Sequence, residues 1–239
     1  MKEIKSIGTT SFILHDTRFK NVEYLKGLVD IVQLLYLESY KDSMSPEDLD
    51  EIKLLQQIKT DIEYFIHMPI DLNLSRKADW VKLNRFANVL KQLNPQQIII
   101  HPENDETFFE EMVNFIANYP NTLIENINEV HFFDKISSNY ADICFDVGHA
   151  IIAGVDIKGF LNRYKDKIKA YHLHGVKKRK DHLSVRYIDL KLLKYLLDFS
   201  IDHNVKIIIE VFGEKDFYDS KEFLRGFFRD HDYIYHRWD

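Results

Sequence analysis

Six short apolar runs in this chain of 239 residues end on a histidine or a carboxylate. The residues at these ends are His67, His101, Glu125, Asp146, His172 and Glu210. An apolar run of four or five residues is typical of a buried strand, and a polar residue at its end lies at the rim of the sheet. One such ending carries little information, but six in series indicate that the strand ends form a common polar site.

Two further apolar runs bring the number of predicted strands to eight, and helical segments separate them. The strands are predicted at residues 3–14, 30–37, 61–68, 97–102, 122–127, 142–147, 168–176 and 206–212. No Pro/Gly/Ser-rich linker divides the chain, so we expect one domain over residues 1–239. This alternation predicts a (β/α)8 TIM barrel, with an open doubly wound sheet as the alternative. The barrel is favoured because the carboxyl ends of all its strands converge on one axis.

The clearest predicted helix lies in SPEDLDEIKLLQQIK. Ser45 is its N-cap, Pro46 takes the first helical position and Asp48 completes a capping box. Its predicted apolar face consists of Leu49, Ile52, Leu55 and Ile58. Further helices are predicted at residues 77–93, 106–117, 157–164, 189–202 and 220–228.

Composition narrows the classes of protein that the chain can belong to. With 45% hydrophobic and 29% charged residues, the chain can bury a sizeable core. The net charge of -6 gives no indication of the basic surface that binds nucleic acid, so nucleic acid is disfavoured as a partner. The single cysteine cannot form an internal disulfide, no apolar run is long enough to span a membrane, and no signal peptide is visible, which favours a cytoplasmic protein. No glycine-rich phosphate cradle indicates a nucleotide cofactor.

The mixture of imidazole and carboxylate groups indicates a site for divalent metal ions. These ligands suit zinc or manganese, and also iron or cobalt, while the absence of thiolates argues against a structural zinc site. A complete site for one ion is available from Glu125, Asp146, His172 and Glu210. A surplus of candidate ligands remains in His67, His101, His149 and His182, and it predicts two or three ions. Paired ions promote in-line attack on phosphorus, so a small-molecule phosphodiester is the expected substrate.

The order His, His, Glu, Asp-x-x-His, His, His, Glu along eight strands resembles the xylose-isomerase-like barrel superfamily. That superfamily includes endonuclease IV-type apurinic endonucleases and many sugar isomerases and epimerases. The motifs GTTSF, HMPIDLNL, HPE, EN, FDVGH, YHLHGV, DHLS and EVF together resemble the cobamide-remodelling phosphodiesterases, and they span essentially the whole chain. This resemblance implies hydrolysis of the nucleotide-loop phosphodiester of a cobamide, a vitamin B12-type corrinoid, by a metal-activated hydroxide. The products would be cobinamide phosphate and an α-riboside.

The same resemblance implies how the ligands divide among ions. One ion would be held by His67, His101 and Glu125. Glu125 would bridge to a second ion, whose other ligands would be Asp146, His172 and Glu210. A third would be held by His149 and His182, but the aspartate usual for that site stands one position late. Lys180 occupies its place and the aspartate is Asp181, so the third ion is an open question.

Other residues receive roles beside the ligands. His174 has no counterpart in the endonuclease pattern, and it is predicted to contact substrate or to hold a ligand, while Lys180 and Asp181 are predicted to contact substrate. The catalytic candidates are Glu125, Glu210 and Glu103. Cys144 points to the same side of its strand as Asp146, and it is predicted to lie deeper in the barrel and to pack in the core.

Two alternative enzyme activities remain open at this point. A sugar isomerase or epimerase would need only the site formed by Glu125, Asp146, His172 and Glu210. His67 and His101 would then have no role as ligands, which counts against this alternative. An apurinic endonuclease would require a basic surface for DNA that the net charge does not supply. A metal-binding barrel without catalysis is the alternative outside enzymology. The sequence does not define the metal, the substrate preference or the oligomeric state.

Overall fold

The computed structural model describes residues 1–39, 44–58, 60–127, 133–136 and 141–238, and eight parallel strands within them close into a barrel. The strands are β1 (Ile7–Thr10), β2 (Ile31–Leu35), β3 (Glu63–His67), β4 (Gln97–Ile100), β5 (Thr122–Glu125), β6 (Asp142–Asp146), β7 (Ile168–Leu173) and β8 (Lys206–Ile209). Pairing of β8 with β1 closes the ring. The predicted barrel is therefore confirmed, and the open sheet is excluded.

Each predicted strand is present but shorter than its apolar run. The run at residues 3–14 contains only β1, because Lys2–Glu3 leaves the barrel to pair with Tyr233–Ile234. The predicted strand at 168–176 ends at Leu173, and a short antiparallel hairpin of Gly175–Lys177 with Lys180–Leu183 follows it.

Helices surround the barrel on its outside. They are α1 (Arg18–Leu25), α2 (Pro46–Gln57), α3 (Lys77–Leu90), α4 (Glu106–Asn118), α5 (Phe133–Ile136), α6 (Val147–Ala153), α7 (Ile157–Arg163), α8 (Leu190–His203) and α9 (Glu214–Asp230). Short 3-10 turns cover Lys91–Leu93 and Val185–Tyr187. The sequence prediction missed α1, α5 and α6. No helix in the described parts of the chain is long and apolar enough to cross a membrane.

The start of α2 confirms one prediction and corrects another. Ser45 and Asp48 form the predicted capping box. Leu49 was predicted to lie on the apolar face, and this is wrong, since its side chain is exposed. Glu51, in the second turn, is buried instead; it accepts a hydrogen bond from the backbone N–H of Phe19 at 2.8 Å and pairs with Arg18 at 3.0 Å.

An apolar layer fills the inside of the barrel. Seven strands each contribute one buried side chain to this inner apolar layer: Ile31, Phe65, Ile99, Leu123, Cys144, Ala170 and Ile208. Cys144 is fully buried among them, which confirms its predicted packing role. The eighth strand contributes Gly8, where a Cβ atom would lie only 2.6 Å from the Cβ of Ile31, so the layer has no room for another side chain.

The carboxyl-terminal segment closes the amino-terminal end of the barrel. Asp30, just before β2, accepts a hydrogen bond from the Tyr235 hydroxyl at 2.7 Å and pairs with Arg237. Trp238 donates its indole N–H to the Leu28 carbonyl at 2.8 Å. This end is therefore sealed, and the carboxyl ends of the strands form the open mouth.

Candidate metal centre

A layer of polar side chains lies directly above the inner apolar layer. Alternate residues of a strand point to the same side, so the residue two positions beyond each apolar layer member also points into the barrel. From β2 to β8 these residues are Gln33, His67, His101, Glu125, Asp146, His172 and Glu210, and we call them the ligand layer. All six residues that end the apolar runs of the sequence are members.

The first group of ligand atoms consists of His67, His101 and Glu125. The Nδ1 of His67 lies 3.0 Å from the Met68 carbonyl oxygen, to which it donates, so its Nε2 carries no proton in the neutral ring. That Nε2 faces Oε2 of Glu125 at 3.2 Å, and Nε2 of His101 lies 3.5 Å from the same oxygen. A backbone bond that leaves the other ring nitrogen free is the usual arrangement of a metal-binding histidine.

The second group consists of Glu125, Asp146, His172 and Glu210, all buried. Nδ1 of His172 faces Glu210 at 3.1 Å, Glu125 at 3.2 Å and Asp146 at 3.7 Å. Within the described residues this nitrogen makes no hydrogen bond of acceptable geometry. A buried imidazole nitrogen without a partner, aimed at three carboxylates, is where a divalent cation fits.

Gln33 fixes the orientation of this second group. Its Oε1 accepts from Nε2 of His172 at 2.8 Å, which leaves Nδ1 as the metal-facing nitrogen. Its Nε2 donates to Oε1 of Glu210 at 3.1 Å, so a single amide holds two ligands. Sequence reasoning missed Gln33 because an amide is not a typical transition-metal ligand. The available signal was a lone polar residue within the apolar run IVQLL.

Glu125 belongs to both groups and has one oxygen in each. Oε2 faces His67 and His101, while Oε1 faces His172 at 3.2 Å. Burial opposes ionisation of Glu125, but His172 and His101 outweigh it and hold the pKa of this carboxyl well below its usual range. Burial likewise works against protonation of His172, yet Cys144 and the carboxylates raise its pKa well above the usual value.

A third group, formed by His149, His174 and His182, lies closer to the mouth. Nδ1 of His149 donates to the Asn126 carbonyl at 3.2 Å, and Nδ1 of His182 donates to the Glu210 carbonyl at 3.3 Å. In both rings Nε2 is left available for a ligand. Burial lowers the pKa of His182, although Glu210 opposes the shift, and this favours the neutral form that binds metals.

Of the two roles predicted for His174, contact with substrate and support of a ligand, its contacts favour the second. Its Nδ1 accepts the backbone N–H of His182 at 2.9 Å, and its Nε2 lies 3.0 Å from Oδ2 of Asp146. Its ring is fully buried against Asp146, an arrangement that suits a residue holding Asp146 in position. Gly148 makes this possible, because a Cβ atom there would lie 1.9 Å from Cε1 of His174. Burial acts against the charged ring, but Asp146 outweighs it and raises the pKa of His174.

The hairpin after β7 carries His182, Asp181 and Lys180, and the last candidate, Glu103, follows β4. His182 lies in the hairpin at a register irregularity with φ of 49°, a left-handed conformation that is rare for histidine and common at functional sites. Oδ2 of Asp181 lies 3.8 Å from Nε2 of His149, and Lys180 is exposed. Glu103 is half-buried and is not a member of the three groups found among the described residues. The substrate roles of Asp181 and Lys180 and the catalytic role of Glu103 stay predictions.

Polar side chains next to the candidate ligands form hydrogen bonds with the main chain of neighbouring strand ends. Asn126 exchanges two hydrogen bonds of 2.8 Å with the main chain of Asp146. The hydroxyls of Thr9 and Thr10 donate to the carbonyls of Ile209 and Val211. These bonds tie neighbouring strand ends together and hold the ligand layer in place.

Neither a family model nor a curated protein matches the sequence, but solved structures share its fold. A D-tagatose 3-epimerase-like protein has a TM-score of 0.72 and 18% identity, over 94% of this chain and 97% of its own. A probable 3-DHS dehydratase from Bacillus anthracis has a TM-score of 0.67 and 12% identity, over 93% and 99%. A xylose isomerase domain containing protein from Salmonella typhimurium has a TM-score of 0.65 and 14% identity, over 92% and 95%. The fold is therefore that of the xylose-isomerase-like TIM barrels.

Proposed function

We propose that this chain is a metal-dependent phosphodiesterase with at least two ions bridged by Glu125. The observation that carries the proposal is that the two oxygens of Glu125 face two different groups of ligand atoms, each of which offers at least two other ligands. A pair of ions bridged by a carboxylate is suited to phosphoester hydrolysis, whereas one ion in the four-ligand group is enough to assist the proton transfers of an epimerase.

The side chains of the metal centre are held in fixed orientations by their neighbours. When bound, the ions would lower the pKa of water and neutralise charge that builds up on a phosphate. Met68 and Gln33 hold the rings of His67 and His172 so that the nitrogen facing the carboxylates carries no proton in the neutral ring. The buried ligands cannot turn away, because the inner apolar layer closes the space below them.

The substrate approaches from the more exposed side of the centre. The side chains of His101 and His182 are 30% and 24% exposed, whereas those of His172 and Glu210 are 0% and 5% exposed. A phosphate entering the mouth meets the exposed histidines first. Lys180 on the hairpin is our candidate for a cation that receives the negative charge of the substrate.

We infer a small phosphodiester as substrate, and a cobamide is the first natural candidate. The net charge of -6 argues against a polyanion such as DNA. The cobamide follows from the sequence resemblance alone, so its test is direct. Release of cobinamide phosphate and an α-riboside, identified by mass, supports it.

A second candidate is a sugar epimerase or isomerase. The group formed by Glu125, Asp146, His172 and Glu210 offers four ligands to one ion, with two glutamates that could move protons. The D-tagatose 3-epimerase-like protein with the same fold favours this candidate. In it, His67 and His101 are not needed for activity.

One experiment separates the two candidates. The purified protein is stripped with a chelator, reloaded with zinc or manganese, and given bis(4-nitrophenyl) phosphate, a cobamide and D-tagatose in separate assays. The discriminating variant is His67→Ala, with metal content measured in each sample. The control is His203→Ala, which removes an exposed histidine at the end of α8, far from the mouth.

The proposal predicts that His67→Ala loses an ion together with phosphodiester hydrolysis, while the control keeps both. Epimerisation of D-tagatose that survives His67→Ala with one ion still bound establishes the second candidate instead. A wild-type protein that hydrolyses neither phosphodiester contradicts the proposed function.

A further inference from the structure

The exposed phenylalanines in the described part of the chain lie together. Among the described residues only Phe12 and Phe212 are exposed phenylalanines, each at 41%. Their rings are 6.1 Å apart and nearly perpendicular, as in a favourable edge-to-face aromatic pair. Both exposed rings therefore belong to one small apolar patch.

This patch borders the metal centre. Phe12 follows β1 and Phe212 follows β8, so both stand at the mouth of the barrel, and Phe212 is two residues beyond Glu210. The ring of Phe212 lies 4.8 Å from that of His182 in the third group. An apolar surface is thus in direct contact with the ring of a candidate ligand.

The exposed rings are not needed to join the two loops. The backbone N–H of Gly213 donates to the carbonyl of Phe12 at 3.0 Å, which connects the loops through the main chain. Smaller side chains could occupy both positions without loss of that bond. Exposed apolar area in such a place is typical of a surface that a ligand covers.

We propose that Phe12 and Phe212 form a subsite that stacks on a flat aromatic ring of the substrate, next to its phosphate. This inference rests on the proposed function, because it places the phosphate on the metal centre and the ring on the patch. The substrate class is then a phosphodiester that carries an aromatic or heteroaromatic group, rather than a purely aliphatic one. One phenylalanine offers the edge of its ring and the other offers its face, and a planar aromatic group can pack against both.

The test uses two non-hydrolysable probes, phenylphosphonate and methylphosphonate, titrated into the zinc-loaded protein by calorimetry. Wild type is expected to bind phenylphosphonate about 2- to 12-fold more tightly, the range of a single aromatic contact. Phe12→Ala and Phe212→Ala should each reduce this preference, and the double variant should abolish it. Leu54→Ala removes an exposed apolar side chain of α2 and should leave the preference intact.

The readouts separate this subsite from the proposed function. Equal binding of both probes by wild type, no binding of either, or an unchanged preference in the double variant overturns the subsite. A preference that disappears in the variants, in a protein without phosphodiesterase activity, supports the subsite and refutes the function. If wild type is active, the KM for bis(4-nitrophenyl) phosphate should rise in the double variant. Zinc content must stay equal to wild type throughout.

Discussion

The inner apolar layer and the ligand layer lie on the same strands, two residues apart, and have opposite effects on the free energy of unfolding. The apolar layer stabilises the barrel, since burial of apolar surface is worth about 25 cal/mol per Å². The ligand layer buries three carboxylates around one imidazole nitrogen, which is unfavourable unless a cation compensates them, either a bound ion or the protonated ring of His172. The comparison teaches that the lower layer provides the stability that the upper layer needs in order to hold charges out of water.

The largest effect is expected from Glu125→Ala, because this residue joins two groups of the ligand layer. We expect loss of both ions and of all measurable turnover, with the barrel still folded. Metal analysis and circular dichroism of the purified variant check this. Retention of a full set of ions would contradict the bridging role.

Removal of the ions should have the next largest effect, this time on the ligand layer as a whole. An ion present at about 1000-fold its dissociation constant stabilises the native state by about 4 kcal/mol. For a chain of this length that corresponds to about 8–16 °C in Tm. Calorimetric scans with zinc and with a chelator measure the difference, and an unchanged Tm would argue against a buried metal centre.

A pair of neighbouring variants on β4 compares the two layers directly. Ile99→Ala should destabilise the protein by about 2–5 kcal/mol and leave its ions bound, because it opens a cavity in the apolar layer. His101→Ala should remove an ion from the first group, and should change the stability of the chelated protein by less than about 1 kcal/mol, since its side chain is 30% exposed. Urea titrations and metal analysis of both variants report the two quantities separately.

The support of the ligand layer is tested by Gln33→Leu. Loss of its bonds to His172 and Glu210 should weaken metal binding about 10- to 100-fold, the usual effect of removing a hydrogen-bond partner of a ligand. Competition with a fluorescent chelator measures the affinity. Gln33→Glu keeps an acceptor for His172 but opposes Glu210, so its affinity should fall between those of Gln33→Leu and wild type.

The smallest effect is a pH dependence of opposite sign in the metal-free and metal-bound proteins. The raised pKa of His172 stabilises the metal-free fold fully below the ordinary pKa of 6.5, and this contribution declines as the pH rises further. The lowered pKa of Glu125 stabilises the fold above its ordinary pKa of 4.5 and is lost as the pH falls. The metal-free protein should therefore be most stable between these values. Ion affinity should instead increase above pH 6.5, with proton release measurable by calorimetry in different buffers.

The order of the strands and most of the ligand layer could be predicted from the sequence, because both depend on local periodicity. A run such as KIIIE places Glu210 two residues beyond Ile208, and the period of a strand fixes their common side. The same rule applied to IVQLL would have found Gln33, had amides been considered along with ligands.

The rest depends on contacts between distant parts of the chain. The partners of His174 are the side chain of Asp146 on β6 and the backbone N–H of His182. His182 lies in the hairpin and has a left-handed backbone conformation. The burial of Glu51 in place of Leu49 likewise requires Arg18 from a different helix. Periodicity carries no information on such pairs.

The two-residue spacing of the layers also bears on how such a site can evolve. Deletion of one residue inside a strand would turn its ligand to the outside of the barrel, whereas a change of loop length leaves the spacing intact. Selection on loops can thus alter the mouth, including Phe12 and Phe212, while the ligand layer stays in place. An epimerase-like protein and a probable dehydratase share this barrel at only 18% and 12% identity. In such a barrel the position of the ligand layer depends on the strands, whereas the shape of the mouth depends on the loops.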